Sequence, residues 1–322
     1  MFSAMEERRR VVFVLLPHVH LLDLAGPAQV FYEAAEFGAP YQVVFAGART
    51  QVKSSPGLVL ARIGRLPEPR ATDLVIVPGL DSTRLVGCAR QVGGWLREAH
   101  AAGARIASVC SGAFALGEAG LLDGRTCTTH WKVIDRLQRD FPAARVLENR
   151  LFVSDGQVVT SAGVASGIDM ALALLEEDTG PLMLARVCKE MVVYLRRSGS
   201  EDQRSVFVEY RSHLHRGVHR VQDFIVANPD ETPSLAELGR IAAMSPRNLT
   251  RSFRASTGVT LKHYMHEVKL EVARNLLHDP TNTVDDVARR CGFDDPRQLR
   301  RLWKRLHGVS PSRWRQSEGE LR

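Results

Sequence analysis

The sequence predicts an α/β domain followed by an all-α domain that contains two helix-turn-helix units. Two observations carry this prediction. Short continuous apolar runs alternate with helical periodicity through the first 195 or so residues, and the remainder is helical throughout and contains an internal repeat. A length of 322 residues also exceeds what one hydrophobic core usually organises, which favours two domains.

The first part of the chain predicts a parallel sheet with helices on both faces. Continuous apolar strands separated by helices are typical of parallel sheets that are covered on both faces. The Asp155-Gly156 pair predicts a turn between the last two strands. The predicted strands are 11–16, 41–46, 73–77, 106–109, 151–153 and 158–161, and the predicted helices are 24–37, 91–102, 113–122, 165–176 and 182–194.

A polar, irregular segment separates the two predicted domains. It is rich in Ser, Gly and charged residues, the composition of a linker. We therefore expect a first domain over 10–196, a linker over 197–215 and a second domain over 216–316.

The second domain contains a duplicated pattern. Residues 234–238 match 283–287 at an offset of 49, and residues 246–249 match 296–299 at an offset of 50. Further matches follow in the same order: Phe253 with Trp303, residues 258–260 with 308–310, and Tyr264 with Trp314. A chance match over so many ordered features is very improbable, so we interpret the pattern as a true repeat.

Each copy of the repeat has the layout of a helix-turn-helix unit. A Ser or Thr that can cap a short helix is followed by an acid in its first turn, then by a turn, then by a second helix that starts at proline. The second helices are predicted at 246–256 and 296–307, and a helix over 261–278 joins the units. Their predicted apolar stripes are Leu249 and Phe253 in the first copy, and Leu299, Leu302, Trp303 and Leu306 in the second.

The polar faces of the two second helices suit a nucleic-acid duplex. Arginine pairs with guanine edges, Asn and Gln pair with adenine, and the more C-terminal cations suit phosphates. An ordinary solvated face is the alternative, but the occurrence of such a cationic face in both copies favours DNA reading. The candidate DNA-binding residues are Arg247, Asn248, Thr250, Arg251 and Arg254, with Arg297, Gln298, Arg300, Arg301 and Lys304. With a rigid joining helix, both could enter successive major grooves roughly 34 Å apart.

The distribution of charge points to the same end of the chain. Residues 233–322 carry 17 Lys and Arg against 10 Asp and Glu, a surplus that equals the net charge of +7 of the whole chain. Such a local excess is expected where a protein meets a polyanion, although a solvated basic surface would look the same.

The cysteines and apolar runs exclude several other classes. Five cysteines without metal-ligand spacing support neither a disulfide framework nor a zinc site, so we expect no metal, no cofactor and a reducing cytoplasm. The apolar run 11–16 is too short for a signal peptide, and no run reaches the roughly 18 residues of a membrane span.

Four residues of the first domain are candidates for a ligand pocket. Cys110 follows a strand and opens a helix, a position that predicts an exposed thiol with a lowered pKa, and Ser111 adjoins it. Asp23 follows the first strand, and His130 could supply a further polar wall; ligands bind at this edge of parallel sheets. The structural alternatives are a small residue in a tight turn for Cys110, a helix cap for Asp23, and a cap or core histidine for His130.

The second domain resembles the DNA-binding domain of AraC/XylS-type bacterial regulators. The resemblance covers about residues 216–316 and includes the stretches ARRCGF and GVSPSRWR. It implies a seven-helix domain that binds DNA as a bipartite unit and controls transcription, often positively through contact with RNA polymerase. Asp294-Asp295-Pro296-Arg297 departs from the family pattern ahead of the reading helix, which would change the bases read and leave the fold unaffected.

The first domain resembles the DJ-1/PfpI, class I glutamine amidotransferase-like superfamily, near the isocyanide hydratases. The stretches LLDLAGPAQVFYEA, DLVIVPG and SVCSGAFALGEAG carry the resemblance over about residues 10–195. It implies a flavodoxin-like sandwich in which Cys110 is the elbow cysteine and Asp23 the acid that approaches it. Ser111 stands where the protease-like branch has His, which argues against amidase or protease activity. In regulators that join both domains, the first is understood to sense small nitrogenous metabolites and to dimerise.

Two functions from different classes remain at this point. The favoured one is a transcriptional regulator, an activator by family precedent, whose partners are double-stranded DNA, a small-molecule effector, a second copy of the chain and RNA polymerase. The alternative is a cysteine-dependent hydratase or hydrolase with a DNA-binding tail. The duplicated basic helices favour the regulator, because an enzyme has no evident need for them.

Overall fold

A computed structural model describes residues 8–193, 197, 199, 203, 206–277, 279 and 281–320. The chain divides into two compact units, with the division between Gln203 and Arg204. Each unit has its own secondary structure and hydrophobic core.

The first unit is built around a six-stranded sheet. Its strands are β1 (Arg9–Val14), β2 (Tyr41–Ala46), β3 (Gln51–Lys53), β4 (Val59–Ala61), β5 (Leu74–Val77), β6 (Arg105–Val109), β7 (Thr126–Cys127), β8 (Arg145–Val146), β9 (Phe152–Asp155) and β10 (Val158–Ser161). Its helices are α1 (Leu21–Glu36), α2 (Gly93–Ala101), α3 (Ala113–Glu118), α4 (Ile134–Asp140), α5 (Ala165–Thr179) and α6 (Pro181–Glu190). In the main sheet the order is β2-β1-β5-β6-β10-β9.

The predicted parallel sheet is confirmed, with one antiparallel strand at its edge. Strands β2, β1, β5, β6 and β10 are parallel to their neighbours, and β9 runs antiparallel to β10 through the predicted turn at Asp155-Gly156. Two small sheets, β3-β4 and β7-β8, lie outside it. All the parallel strands therefore end at one edge of the sheet.

Helices cover both faces of the sheet, as the continuous apolar strands predicted. On β1, Val11 and Phe13 pack in a core with residues of α1 and α5, whereas Val12 and Val14 pack in a second core with residues of α2 and α3. Side chains alternate between the faces of a strand, so a strand that is buried on both sides must be apolar at every position.

Helix α3 is shorter than its periodicity suggested. The prediction extended to residue 122, but the helix ends at Glu118. Gly120 takes a positive φ of 73°, and its N–H donates to the carbonyl of Gly117 while Leu121 N–H donates to Leu116. A glycine in this conformation ends helices, because the left-handed region costs it no side-chain clash.

The second unit contains the seven helices that the resemblance implied among the described residues of 216–320, preceded by one short helix. Its helices are α7 (Val206–Glu209), α8 (Arg216–Ala227), α9 (Leu235–Ala242), α10 (Pro246–Thr257), α11 (Leu261–Leu277), α12 (Val284–Arg290), α13 (Pro296–His307) and α14 (Pro311–Glu320). The last residue of the predicted joining helix, 278, lies outside the described residues.

Helix α11 belongs to two hydrophobic cores. Its first half, with Tyr264 and Val268, packs against α8, α9 and α10. Its second half, with Ala273 and Leu277, packs against α12, α13 and α14. Each helix-turn-helix unit therefore has its own core, and one continuous helix joins the two.

The predicted linker, 197–215, is attached at both ends in its described residues. Arg197 forms an ion pair of 2.7 Å with Asp169, and Gln203 Nε2 donates to the carbonyl of Thr129 at 2.9 Å, both within the first unit. Arg211 pairs with Asp223 at 2.6 Å in the second unit. Residues 198, 200–202 and 204–205, also part of the predicted linker, lie outside the described residues.

Candidate functional site

The first helix of each helix-turn-helix unit starts at the predicted cap. The Ser234 hydroxyl accepts from Glu237 N–H at 3.3 Å, and the Glu237 carboxylate accepts from Ser234 N–H at 2.7 Å, which completes a capping box at α9. At α12 the Thr283 hydroxyl accepts from Asp286 N–H at 3.1 Å. The sequence motif and the observed start agree in both copies.

The second helices also start and end as their sequences require. Pro246 and Pro296 occupy the first turns of α10 and α13, where the missing N–H of proline has no intrahelical partner in any case. Gly258 and Gly308 end the two helices with φ values of 80° and 76°. The predicted bounds 296–307 are confirmed, and α10 extends one residue beyond its prediction.

The buried side of α13 differs from the prediction at one position. Leu299, Leu302 and Trp303 are buried as expected, but Leu306 is 52% exposed. The expectation that Leu306 is buried was therefore wrong. Aromatic rings form the contacts at this end of the helix. Trp303 packs edge-on against Trp314 with ring centroids 5.2 Å apart, and His307 lies 4.4 Å from Trp303.

The candidate DNA-binding side chains lie on the outer faces of these two helices. All are exposed except Gln298, which is half-buried: Arg247, Asn248, Thr250, Arg251, Arg254, Arg297, Arg300, Arg301 and Lys304. Four residues of this set also line an open depression beside Ala255 on α10. These faces are cationic and accessible, as contact with a polyanion requires.

Two of the arginines in this set pair with other side chains of the unit. Arg251 Nη2 donates to Asn248 Oδ1 at 2.9 Å, so an arginine and an asparagine hold each other one turn apart on α10. Arg300 pairs with Asp285 of α12 at 2.5 Å. The Asn248–Arg251 pair is therefore oriented before DNA binds, whereas Arg300 is paired with Asp285.

A buried lysine joins the two helix-turn-helix units. Lys269 of α11 is 5% exposed, and its ammonium donates to the hydroxyl of Thr232 at 2.9 Å and to the carbonyl of Gly292 at 2.6 Å. Thr232 precedes α9 in the first copy, and Gly292 lies in the turn between α12 and α13 in the second. Burial lowers the pKa of Lys269, which Asp294 partly opposes. We call Lys269, Thr232 and Gly292 the Lys269 contact.

The backbone of the two copies meets at the same place. Gly292 has a φ of 65°, and a Cβ on it would lie 1.7 Å from the carbonyl oxygen of Asp230. Any other residue would force the second turn away from the segment that precedes α9. Glycine therefore allows the close approach that the Lys269 contact stabilises.

We expect Lys269→Met to loosen the second unit. The substitution keeps the aliphatic stem and removes the charge-assisted hydrogen bonds, which leaves the Gly292 carbonyl without its donor at a cost of about 1–3 kcal/mol. Urea unfolding of the full chain with Trp95 and Trp131 replaced by Phe, followed by the fluorescence of Trp303 and Trp314, measures this loss. Lys262→Met, at an exposed position of α11, is the matched control. Equal midpoints for both variants would show that the contact carries no stability.

The second candidate site lies at the carboxyl edge of the main sheet. Asp23, in the first turn of α1 after β1, is completely buried, and its Oδ1 accepts from Val164 N–H at 2.7 Å. Its Oδ2 lies 3.4 Å from His20 Nδ1. His20 occupies the N-cap position of α1, so the alternative interpretation of Asp23 as a helix cap is wrong.

The backbone around Asp23 is strained. Val164 has a φ of 51°, which a β-branched residue adopts only when its surroundings impose it. The hydrogen bond to Asp23 is one such constraint. Strain of this kind is concentrated at functional sites.

Cys110 occupies the predicted turn but not the predicted environment. It follows β6 directly with a φ of 55° and is 5% exposed. Burial above all, and then the Asp23 carboxylate, raise the pKa of its thiol to about 12, although the Ser111 N–H opposes them. The expectation of an exposed thiol with a lowered pKa was therefore wrong. Cys110 is a protonated thiol at neutral pH.

Two glycines explain how Cys110 is enclosed. A Cβ on Gly79, after β5, would lie 2.3 Å from Asp23 Oδ2, and one on Gly163, after β10, would lie 2.3 Å from Cys110 Cβ. The loops after four parallel strands thus converge on this pair. Glycine at both positions lets the main chain come within contact distance of the thiol and the carboxylate.

The other two candidates have structural contacts of their own. The Ser111 hydroxyl donates to the carbonyl of Leu80 at 2.6 Å and accepts from Leu80 N–H at 2.9 Å, so it holds the loop after β5. His130 is half-buried and accepts from Lys132 N–H at 3.3 Å, as its capping alternative predicted. Burial, followed by the Lys132 charge, lowers the pKa of His130, and the Asp23 carboxylate opposes this.

Sequence reasoning missed two residues of this site. His20 precedes Asp23 by three positions, one helical turn, and that spacing was the available signal. Burial lowers the pKa of His20, but the hydrogen bond to Asp23 outweighs it and raises the value. Gln203 reaches Thr129, whose hydroxyl donates to the carbonyl of Cys110 at 2.8 Å, and nothing local in the sequence marks Gln203.

The cysteines and the helices also bear on disulfide bonding and on membrane crossing. None of the five cysteines forms a disulfide bond, and Cys127 is fully buried. In the described part of the chain, no helix combines the length and apolar character that crossing a bilayer requires.

We expect Asp23→Asn to accelerate alkylation of Cys110. Removing the carboxylate charge lowers the pKa of the thiol, while burial keeps it above that of a free cysteine. The rate of iodoacetamide modification, followed by peptide mass spectrometry between pH 7 and about pH 10, measures the shift. Cys127, buried away from Asp23, is the internal control. A variant rate equal to or below that of the wild-type chain would contradict the assigned effect of Asp23.

Comparison with known proteins bears out both resemblances. The DJ-1/PfpI family matches residues 9–177, more than half of the chain, and a helix-turn-helix domain matches residues 238–317. A ThiJ/PfpI family protein from Pseudomonas syringae has a similar fold, with a TM-score of 0.51 and 24% identity over 59% of this chain and 77% of that one.

Two curated proteins represent the functional classes that the sequence left open. The HTH-type transcriptional regulator GbdR of Pseudomonas aeruginosa is 30% identical over 314 residues, 95% of this chain and 84% of GbdR. The isonitrile hydratase of Pseudomonas putida is 33% identical over 171 residues, 53% of this chain and 72% of that enzyme. The regulator is thus matched through both units, the enzyme over little more than half of the chain. The chain belongs to the DJ-1/PfpI family, among the transcriptional regulators in which an AraC-type helix-turn-helix domain follows the DJ-1/PfpI domain.

Proposed function

We propose that the chain regulates transcription by inserting α10 and α13 into duplex DNA, in response to a small molecule bound by the first unit. The observation that carries the DNA-binding part is the pair of exposed cationic helices, one in each copy of the repeat. Each starts with a side-chain cap, Ser245 or Asp295, followed by proline, and each ends at a glycine. A duplicated cationic helix of this kind is what a bipartite operator requires.

The side chains of α10 suit direct reading of bases. Asn248 and Arg251 hold each other at 2.9 Å, which places an adenine-type and a guanine-type reader side by side. Arg247 and Arg254 lie on the same exposed helix and suit phosphates. On α13 we assign base contacts to Arg297, Gln298 and Arg301, and phosphate contacts to Arg300 and Lys304.

The effector site is proposed at Asp23 and Cys110. A buried carboxylate at the carboxyl edge of a parallel sheet suits a small cationic or nitrogenous metabolite, with His130 as a further wall. The Cys110 carbonyl accepts from Thr129, and the Thr129 carbonyl accepts from Gln203. A ligand that moves Cys110 would therefore alter the hold on Gln203, just before the second unit begins in sequence.

The remaining features of the proposal come from the family. We propose domains over 10–196 and 216–316, a cytoplasmic homodimer, and contact with RNA polymerase when the regulator activates a promoter. Hydration of isonitriles is the second candidate function, and Cys110 on a strained turn beside Asp23 favours it. Isonitrile turnover by the purified chain, abolished by Cys110→Ser, would establish that activity.

We expect Arg251→Ala and Arg301→Ala each to weaken specific DNA binding by roughly 1–3 kcal/mol, about 5- to 150-fold in Kd, because each removes a base contact. Genome-wide mapping of bound sites supplies the operator, and fluorescence anisotropy at fixed salt measures Kd. Arg139→Ala, exposed on α4 of the first unit, is the matched control. Unchanged affinity and base preference in both variants would remove the assigned reading faces.

We expect Gln203→Ala to free the segment between the two units while leaving DNA affinity unchanged. The amide of Gln203 donates to the carbonyls of Thr129 and Arg150, and alanine removes both hydrogen bonds. Limited trypsin digestion should then cut between residues 197 and 211 several-fold faster. Gln157→Ala, which removes a surface hydrogen bond to Gly103, is the control. Equal cleavage rates in the two variants would show that Gln203 does not hold the segment.

A further inference from the structure

We propose that His20, Asp23 and Cys110 form a binding site for a divalent transition-metal ion of zinc type. The Nδ1 or Nε2 atom of His20, a carboxylate oxygen of Asp23 and the Sγ atom of Cys110 all lie within 4.8 Å of one another. Among the described residues, no other group of His, Cys, Asp and Glu side chains has this arrangement.

The Asp23 carboxylate is completely buried, and its two oxygens differ in their contacts. Its Oδ1 atom accepts from Val164 N–H, whereas its Oδ2 atom has His20 Nδ1 at 3.4 Å, a long contact from a side chain that is itself one of the proposed ligands. A buried carboxylate is costly, and buried charges are normally paired or bound to metal. A cation at this point would bind the Oδ2 atom directly.

The three donor atoms also suit zinc by their chemistry. Imidazole, carboxylate and thiolate are the ligands that zinc takes, at about 2.0–2.3 Å. Three such ligands around one ion lie roughly 3.5 Å apart, so side chains now within 4.8 Å need to move inward by about 1 Å at most. His20 is 37% exposed and Cys110 nearly buried, so the ion would enter from the His20 side and keep its fourth position open.

Metal binding at this site would release a proton. The ion binds the thiolate, so the proton of Cys110 passes to solvent as the metal–sulfur bond forms.

The ion would occupy the proposed sensing site and leave its fourth position for the nitrogenous metabolite, and the inference rests on the proposed function only in treating that site as a binding site. DNA binding plays no part in it. The two can fail separately, because metal binding is measured on the full chain without DNA, and DNA binding is measured in parallel.

Cobalt titration of the chelator-treated full chain tests the inference. Co²⁺ in a site with a thiolate ligand gives a sulfur-to-metal charge-transfer band in the near ultraviolet, and we expect this band to saturate at one equivalent and to disappear on addition of Zn²⁺. Cys110→Ser should abolish it, and His20→Ala should weaken binding by more than about 10-fold, the loss seen even for outer-shell partners. Cys127→Ser and His100→Ala, on α2 outside this site, are the controls and should retain it.

Absence of the band at one equivalent, or its persistence in Cys110→Ser, would overturn the site. Should Cys110→Ser fail to fold, His20→Ala decides the matter, because His20 is partly exposed and makes no side-chain cap. A chain that binds its operator with the expected sensitivity to Arg251→Ala but takes up no Co²⁺ leaves the regulator standing and removes the metal site.

Discussion

The arrangement of the two DNA-binding units depends on one buried ammonium group. Lys269 holds the segment before α9 and the turn before α13 at the same time, and Gly292 lets their backbones touch. Since α11 also contributes to both cores, one continuous helix joins the two helix-turn-helix units. A lysine is suited to this role because it offers three donors from a long apolar stem. The distance between the reading helices α10 and α13 is therefore fixed before the protein binds DNA.

In the first unit the polar groups of the candidate site are buried, whereas the candidate DNA-binding side chains of the second unit are mostly exposed. Four loops meet at Cys110 and Asp23, and the glycines that let them do so also remove the thiol from solvent. A protonated, buried thiol is a poor nucleophile, which favours binding over turnover. A ligand at the enclosed carboxylate would act on the loop that holds Gln203.

The fold was predictable from sequence because its signals are local. Apolar runs, caps such as Ser234 and Thr283, and the two starting prolines act within a few residues, and the repeat doubled each of them. The bounds of α3 depended on Gly120, a local signal that periodicity alone overlooked. The environment of Cys110 was not predictable, because loops distant in sequence create it. Gln203 and Lys269 act through contacts to residues 74 and 23 positions away, which no pattern in one sequence reveals.

The central claim is that α10 and α13 form one rigid pair. The most direct test is the distance between spin labels on Arg254→Cys and Lys304→Cys, measured by pulsed dipolar spectroscopy in a chain whose half-buried Cys88 and Cys188 are replaced. The account predicts a single narrow distribution, near the roughly 34 Å that separates successive major grooves and unchanged by operator DNA. A broad distribution in the free chain that narrows only when DNA is added would contradict it.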